Sequence, residues 1–345
     1  MKSSSRQLRR AGIVGTGSYV PTKIITNFDL EKRLDTSDEW IRSRTGISER
    51  RIAAPHEATS DLALAAARRA LEDARIAAAD LDLIIVATCT PDMPFPATAA
   101  IVQAELGATR AAAFDLNAVC SGFSYGLEVG AQMIAGGSFE RVLVIGADIM
   151  SRTLNWDDRS TCVLFGDGAG AVVLGPVEAG GLVSSVLGAD GTGGPLLCIP
   201  AGGSREPISA DKIDDCRNTM QMNGREVYKF AVQVMGEAAV QALDKCGLGP
   251  SDVALFIPHQ ANIRIIESAA KRLGLPSERV FVNLDRYGNT SAASIPLALD
   301  EAVRSGRVGE GDIVVTVGFG AGLTWGANVI QWTASPRLAL PTCGY

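Results

Sequence analysis

Hydrophobic residues along the chain fall into short apolar runs that alternate with longer, Ala-rich segments of helical periodicity. The runs over 83–88 and 253–257 are rich in Val, Ile and Leu, which predicts buried strands, whereas the segments between such runs predict helices. This alternation is typical of α/β layering, in which helices cover the faces of a sheet. We therefore expect an α/β protein.

The order of predicted elements occurs twice. The first half predicts helices and strands, in chain order, at 60–75, 83–88, 97–106, 113–116, 122–135 and 141–146. The second half predicts the same order at 227–246, 253–257, 263–273, 280–284, 292–304 and 312–317. The unit is too long for a leucine-rich or tetratricopeptide solenoid. We expect two α/β halves related by a pseudo-two-fold axis, over 11–185 and 186–333, with a disordered tail at 1–10 and a second tail at 334–345.

Composition narrows the class of protein. With 345 residues, 47% of them hydrophobic, the chain is long enough for two similar-sized halves, and its net charge of −6 gives no general attraction to nucleic acid. The basic start lacks an apolar signal core, and no run approaches about 18 apolar residues, so we expect neither a secretory signal nor a membrane span. Seven scattered cysteines without paired spacing argue against disulfides and zinc, and favour the cytoplasm.

The first candidate for chemistry is Cys120. It lies where a predicted strand turns into a helix, between the small residues Ala118 and Gly122. Backbone N–H groups and the positive end of a helix favour a thiolate, so we expect a lowered thiol pKa and a nucleophile for thioesters. The plain alternative is a small buried hydrophobe, which is what most cytoplasmic cysteines are.

Three further segments also follow predicted strands. His259 comes after a strand and a proline and is either a fixed functional imidazole or a buried histidine bonded to a carbonyl. Asn289 is either a functional amide or a helix N-cap. The glycine-rich segment 318–322 is either a tight turn or a source of N–H groups for an oxyanion. Because functional loops follow the carboxyl ends of strands in α/β folds, we expect these segments to lie on compatible ends.

Other motifs in the sequence give little evidence of a binding site. The glycines at 15 and 17 lack the third glycine of a dinucleotide fingerprint, and no P-loop motif is present. Asp167, between two glycines, is expected in a turn, and no cluster of metal ligands is recognisable. We therefore expect no metal and no cofactor.

Six motifs in order closely resemble the β-ketoacyl-acyl-carrier-protein synthase III family of thiolase-fold condensing enzymes. The resemblance covers about 13–332, and the motifs lie at 15–21, 35–47, 120–123, 165–170, 258–262 and 287–294. It implies a layered α-β-α-β-α thiolase-like fold and a decarboxylative condensation of an acyl-CoA primer with malonyl carrier protein, which starts fatty acid synthesis.

The resemblance also implies site residues. Cys120 takes the acyl group, while His259 and Asn289 bind the malonyl thioester carbonyl and stabilise the enolate. The backbone of Cys120 and the loop Phe319, Gly320, Ala321 and Gly322 form the oxyanion hole. The implied CoA site comprises Trp40 and Arg44 as a clamp on adenine, with Arg159, Gly224, Tyr228 and Asn262. The implied carrier-protein docking patch comprises Arg264, Lys271 and Arg272. The implied acyl pocket comprises Met150, Phe165 and Met220, and Phe95 reaches the pocket of a second subunit in a homodimer.

Several rivals share these features. A thiolase carries a second active cysteine in the glycine loop, which 318–322 lacks, and a hydroxymethylglutaryl-CoA synthase needs a glutamate base that is not recognisable before Cys120. A chalcone-synthase-like enzyme has different motifs. A secondary-metabolism relative that primes a polyketide, or moves the acyl group to another nucleophile, stays open. So does a non-catalytic acyl-CoA-binding relative, although the intact Cys120, His259 and Asn289 argue against it.

Overall fold

The structure, a computed structural model, describes residues 9–333. Its strands are β1 (Arg10–Tyr19), β2 (Lys23–Thr26), β3 (Glu49–Ile52), β4 (Leu83–Ala87), β5 (Ala112–Leu116), β6 (Val142–Ile149), β7 (Asp167–Val177), β8 (Gly181–Ala189), β9 (Leu197–Cys198), β10 (Gln221–Met222), β11 (Val253–Pro258), β12 (Ile313–Gly320) and β13 (Thr324–Gln331). Its α-helices are α1 (Asn27–Glu31), α2 (Asp38–Thr45), α3 (Thr59–Ala74), α4 (Thr98–Leu106), α5 (Gly122–Ala135), α6 (Ala210–Asp214), α7 (Gly224–Lys245), α8 (Ile263–Arg272), α9 (Leu284–Tyr287) and α10 (Ser294–Arg304).

The predicted duplication is confirmed by the sheets. The first sheet has the order β5-β4-β6-β7-β1, and the second has the order β11-β12-β13-β8. In each sheet a parallel pair, β4 with β6 or β11 with β12, is followed by two antiparallel pairings. The strands β4, β6, β7 and β1 therefore correspond to β11, β12, β13 and β8.

One predicted strand is almost lost. The run over 280–284 forms a single parallel bridge, between Val280 and Phe256, and the chain then enters α9. Buried Asn283 explains the change, because its backbone N–H donates to the Gln260 side chain at 3.0 Å and its amide donates to Glu301 at 2.9 Å. The Gln260 side chain thus takes two backbone hydrogen bonds that a neighbouring strand would need, because its amide also donates to the Phe281 carbonyl at 3.1 Å.

The predicted limits of the halves shift as well. Strand β8 belongs entirely to the second sheet, so the boundary expected between residues 185 and 186 falls inside a strand, and the chain changes sheets between Val177 and Gly181. At the start, Arg10 already pairs with Val177 in β1, which shortens the predicted tail. The rest of both predicted tails, with Cys343, lies outside the described residues.

The core confirms the five layers. Helix α3 packs Ala-rich turns on the outer face of the first sheet, with α4 beside it. Helices α5 and α10 lie between the two sheets, where Phe123 and Leu299 join side chains of both. Helices α7 and α8 cover the outer face of the second sheet. The two central helices begin at the turns that follow β5 and the Val280 bridge, and these turns carry the candidate site.

Candidate active site

Cys120 lies in a constrained turn. Strand β5 ends at Leu116, a 3-10 turn covers Val119–Ser121, and α5 begins at the next residue. Val119 has φ of +49°, a conformation that is unfavourable for a β-branched residue. The Ser121 hydroxyl donates to the Ala118 carbonyl at 2.8 Å and closes the turn. The strain and the closing bond fix the backbone that carries the sulfur.

The expectation of a lowered Cys120 pKa is wrong. Burial raises the pKa of the Cys120 thiol to about 12, because the thiolate loses its hydration. A hydrogen bond from Ser291 opposes this rise, while the nearby charge of Asp148 adds to it. Cys120 is only 5% exposed, and at pH 7 its thiol is therefore neutral.

The corresponding turn in the second half carries Asn289. Gly288 and Ser291 both have positive φ, of +65° and +51°, and the 3-10 turn Ser291–Ala293 leads into α10. The Asn289 carbonyl oxygen Oδ1 accepts from the Ser291 N–H at 2.9 Å. This bond fixes the orientation of the amide and leaves its NH₂ group as the free donor. Ser291 contacts Cys120, so the structure brings the two turns together.

His259 is fully buried beside the same turn. Its backbone N–H donates to the Val317 carbonyl at 2.7 Å, and its Nδ1 lies 2.6 Å from the Ser294 hydroxyl at the start of α10. The ring meets Phe319 edge-on, with centroids 5.5 Å apart. Burial lowers the pKa of His259 to about 3, so the imidazole is neutral at pH 7. A neutral ring whose Nδ1 accepts from Ser294 presents Nε2–H as a donor.

The end of β12 lies against Cys120. A Cβ at Gly320 would stand 2.7 Å from the Cys120 nitrogen, and one at Gly318 would stand 3.3 Å from the Cys120 oxygen. Only glycine permits this approach at position 320. Of the four loop residues predicted for the oxyanion hole, Phe319 and Gly320 end the strand, whereas Ala321 and Gly322 form the turn that follows it.

A mainly apolar cavity of about 190 Å³ opens at Cys120. Met150, Phe165 and Met220, three of the four residues predicted for an acyl pocket, line it. Phe95, the fourth, is absent from the lining and is 85% exposed. The other residues that complete the wall were not predicted for the acyl pocket: Cys89, Val119, Thr153, Leu197, Cys198, Ile199 and Ala321.

Of the two residues predicted to clamp adenine, Trp40 and Arg44, only Trp40 contacts a guanidinium, and that group is on another residue. The guanidinium that lies over the Trp40 ring, 5.4 Å from its centroid, belongs to Arg159 and not to Arg44. Arg159 also bonds to the Asp35 backbone carbonyl. The Arg44 carbonyl instead accepts from the Asn262 amide at 3.0 Å, and that bond ties α2 to the start of α8. Trp40 is 37% exposed, which leaves an accessible indole face.

The remaining predicted binding residues lie on α7 and α8. Gly224 begins α7, and Tyr228 is exposed one turn later. Arg264 donates to the Ser43 carbonyl at 2.8 Å, and Lys271 is exposed in the last turn of α8. Arg272 pairs with Glu237 at 3.1 Å. The predicted docking patch is therefore partly neutralised at Arg272.

The sequence did not indicate the residues whose hydrogen bonds position the side chains of the candidate site. Ser294 and Ser291 were recognisable only as parts of a motif, and Asp148, inside an apolar strand, gave no signal beyond a charge among hydrophobic neighbours. All three side chains are buried at the junction of the two turns.

Residues 9–333 show neither a metal-binding cluster nor a membrane-spanning helix. No group of three or more His, Cys, Asp or Glu side chains there is arranged to hold a metal ion. None of the helices in that range combines the length and apolar character needed to cross a membrane.

Known proteins resemble the chain over nearly its whole length. Family models described as 3-oxoacyl-[acyl-carrier-protein] synthase III and as its C-terminal part match residues 114–191 and 243–332. The beta-ketoacyl-[acyl-carrier-protein] synthase III of Caldanaerobacter subterraneus subsp. tengcongensis is 61% identical over 324 residues, which are 94% of this chain and 98% of that protein.

Solved structures agree with the sequence comparison. The 3-oxoacyl-[acyl-carrier-protein] synthase III of Aquifex aeolicus superposes with a TM-score of 0.87 at 48% identity and covers 93% of this chain and 100% of its own. The priming β-ketosynthase of the R1128 polyketide pathway superposes with a TM-score of 0.89 at 38% identity, over 97% of this chain and 100% of its own.

Proposed function

Because the chain belongs to the β-ketoacyl-acyl-carrier-protein synthase III family of condensing acyltransferases, we propose that it joins an acyl-CoA primer to malonyl carrier protein and so starts fatty acid synthesis. The observation that carries this proposal is the meeting of two matching turns, one from each half, which sets Cys120 beside the Asn289 turn at the mouth of an apolar cavity.

The first step is acyl transfer. The Cys120 sulfur attacks the thioester carbonyl of acyl-CoA, a new carbon–sulfur bond forms, and CoA leaves with the proton that the thiol gives up. The Gly320 backbone approaches the Cys120 nitrogen closely, which suits backbone N–H stabilisation of the oxyanion. The acyl chain then occupies the cavity between Met150, Phe165 and Met220.

The second step is decarboxylative condensation. Nε2–H of His259 and the amide of Asn289 donate to the malonyl thioester oxygen, which takes negative charge as CO₂ departs. The enolate carbon attacks the acyl carbonyl, the bond to Cys120 breaks, and the sulfur leaves as a thiolate that takes a proton from solvent. Because burial holds the pKa of His259 near 3, this donor stays neutral and does not quench the enolate by protonating its carbon.

Substrate entry involves the surface around α2 and α8. We place the CoA adenine between Trp40 and Arg159, where an indole and a guanidinium already face each other. We propose that Arg44, Gly224, Tyr228 and Asn262 border the path of CoA towards Cys120, and that Arg264, Lys271 and Arg272 dock the acidic carrier protein. No cofactor takes part in either proposed step.

The assembly and location follow the same proposal. Exposed Phe95, at 85% accessibility, suits insertion into a second copy, which makes a homodimer the proposed state. The predicted cytoplasmic location accords with six free thiols among the described residues. Priming of a polyketide is the second candidate, because a priming ketosynthase superposes with a TM-score of 0.89.

The deciding experiment measures the intact mass of malonyl carrier protein after incubation with the enzyme and a panel of straight and branched acyl-CoAs. We expect conversion to the 3-ketoacyl form, lost in Cys120→Ala. Acylation of Cys120 without carbon–carbon bond formation would contradict the condensing role. Conversion only with a polyketide carrier protein would favour the second candidate.

A further inference from the structure

Asp148 is a buried carboxylate that the proposed reaction does not use. It is the last residue but one of β6, and its side chain is 0% exposed. Its oxygen Oδ1 accepts from four donors: the Thr88 hydroxyl at 2.9 Å, the Cys89 N–H at 2.9 Å, the Thr90 N–H at 3.2 Å and the Thr90 hydroxyl at 2.8 Å. The other oxygen, Oδ2, accepts from a fifth donor, so five hydrogen bonds stabilise the carboxylate.

That fifth donor belongs to the other half of the protein. Oδ2 of Asp148 accepts from the Ala292 N–H at 3.1 Å. Ala292 follows Ser291, whose own N–H fixes the Asn289 amide at 2.9 Å. The approach is tight, since a Cβ at Gly146 would stand 2.2 Å from the Ala292 oxygen. One carboxylate thus joins the loop after β4, which forms a cavity wall at Cys89, to the turn that orients Asn289.

We propose that Asp148 is a positioning residue that sets the acyl-cavity wall through Oδ1 and, independently, the orientation of Asn289 through Oδ2. The inference rests on the proposed function, because it assigns the Oδ2 contact to the condensation step and the Oδ1 contacts to the acylation step.

The variant Asp148→Asn separates the two contacts. Asparagine has the same shape but only one accepting oxygen, which four donors around Oδ1 will claim. Its NH₂ group then faces the Ala292 N–H, and because both groups are donors, no hydrogen bond forms between them. The variant therefore loses the contact that positions the Asn289 turn and keeps the contacts that position the cavity wall. We therefore expect condensation to slow by about tenfold or more, with acylation unchanged or faster.

The two steps are measured separately. Acylation of Cys120 by acyl-CoA is timed from the intact mass of the enzyme, and condensation is timed by mixing acylated enzyme with malonyl carrier protein. The matched control is Asp300→Asn, which alters another buried carboxylate that accepts from Thr16 and Ser18 and pairs with Arg304 at 2.9 Å. It should lower stability and leave the ratio of the two rates unchanged.

A third measurement tests the effect of the Asp148 charge on the neighbouring thiols. The titratable groups that face Asp148 are the thiols of Cys89 and Cys120, whose pKa values its charge raises. In Asp148→Asn the pH profile for iodoacetamide labelling of Cys120, read by peptide mapping, should move to lower pH. Asp300→Asn should leave that profile in place, because Asp148, and not Asp300, is the charged group that acts on the Cys120 thiol.

The mirror variant is Thr88→Val, which removes one donor to Oδ1 and leaves the Ala292 contact. It should slow acylation or change primer preference while sparing condensation of the acylated enzyme, and it tests the proposal if Asp148→Asn does not fold. Equal loss of both rates in either variant, or a split reproduced by Asp300→Asn, would overturn the inference. Failure of the unaltered enzyme to condense would instead overturn the proposed function.

Discussion

Ser294 is the side chain whose removal most directly tests how His259 works. Its hydroxyl lies 2.6 Å from Nδ1 of a histidine that is 1% exposed. Ser294→Ala deletes the hydroxyl and leaves Nδ1 buried without this partner, at a cost of about 1–3 kcal/mol in the free energy of unfolding. The ring then loses the hydrogen bond at Nδ1 that helps to hold the tautomer with its proton on Nε2, the donor proposed for the malonyl carbonyl.

The expected result is a fall in kcat of condensation by about tenfold, the equivalent of about 1.4 kcal/mol, with KM for acyl-CoA unchanged. Ser294→Thr keeps the hydroxyl and should restore most of the activity. The matched control is Ser124→Ala, because the Ser124 hydroxyl is equally buried but has no hydrogen-bond partner in the described part of the chain. That change should be neutral or stabilising.

Steady-state kinetics and urea unfolding of these three variants decide the matter. If Ser294→Ala keeps its kcat within about twofold of the unaltered enzyme, the tautomer argument is refuted. If Ser124→Ala loses as much activity as Ser294→Ala, the effect comes from packing near the helices between the sheets, and not from the imidazole.

Three further predictions address stability and binding. Gly146→Ala should lower the free energy of unfolding by about 2–4 kcal/mol, because its Cβ would stand 2.2 Å from a backbone oxygen. The control Gly175→Ala, whose Cβ would have its nearest atom at 3.5 Å, should lower it by less than about 1 kcal/mol. The midpoints of urea unfolding measure both changes. Trp40→Ala should raise KM for acyl-CoA about fivefold or more and spare the kcat of the bound complex, and a kcat effect alone would contradict adenine binding there. The pKa of His259 is about 3 in the folded state and about 6.5 in the unfolded state. As the pH falls below about 6.5, the unfolded state therefore binds a proton that the folded state does not bind. Stability should drop by about 1.2 kcal/mol from pH 7 to pH 5.5, and a His259→Asn variant that shows the same drop would contradict this origin.

The fold was largely predictable because its strands are continuous apolar runs. Strand β4 over 83–87 and strand β11 over 253–258 lie within one residue of their predicted limits, since burial on both faces leaves an unmistakable pattern. The run over 280–284 is just as apolar at its start. It fails as a strand because Asn283 bonds to two side chains distant in sequence, and no local pattern reports such partners.

The sequence led us to expect that the turns at Cys120 and Asn289 lie on compatible ends, and the structure brings them together, whereas the direction of the Cys120 pKa shift was not predictable. A helix N-terminus beside Cys120 is a local feature, and by itself it indicates a lowered thiol pKa. The segments that bury the sulfur, around Ser291 and Gly320, come from the other half of the chain, so the opposing effect of desolvation emerges only in three dimensions. In the same way, Arg44 is one helical turn from Trp40, yet the cation over that ring is the distant Arg159.

The left-handed residues at Val119 and Ser291 have a consequence for anyone who wishes to make this enzyme more thermostable. Neither is glycine, so each turn carries a backbone penalty of about 1–3 kcal/mol that a glycine would relieve. They therefore look like the first positions to replace in a library of stabilising substitutions. Yet Val119 lines the cavity and Ser291 contacts Cys120, so a glycine at either position would free the backbone where the proposed reaction needs it fixed.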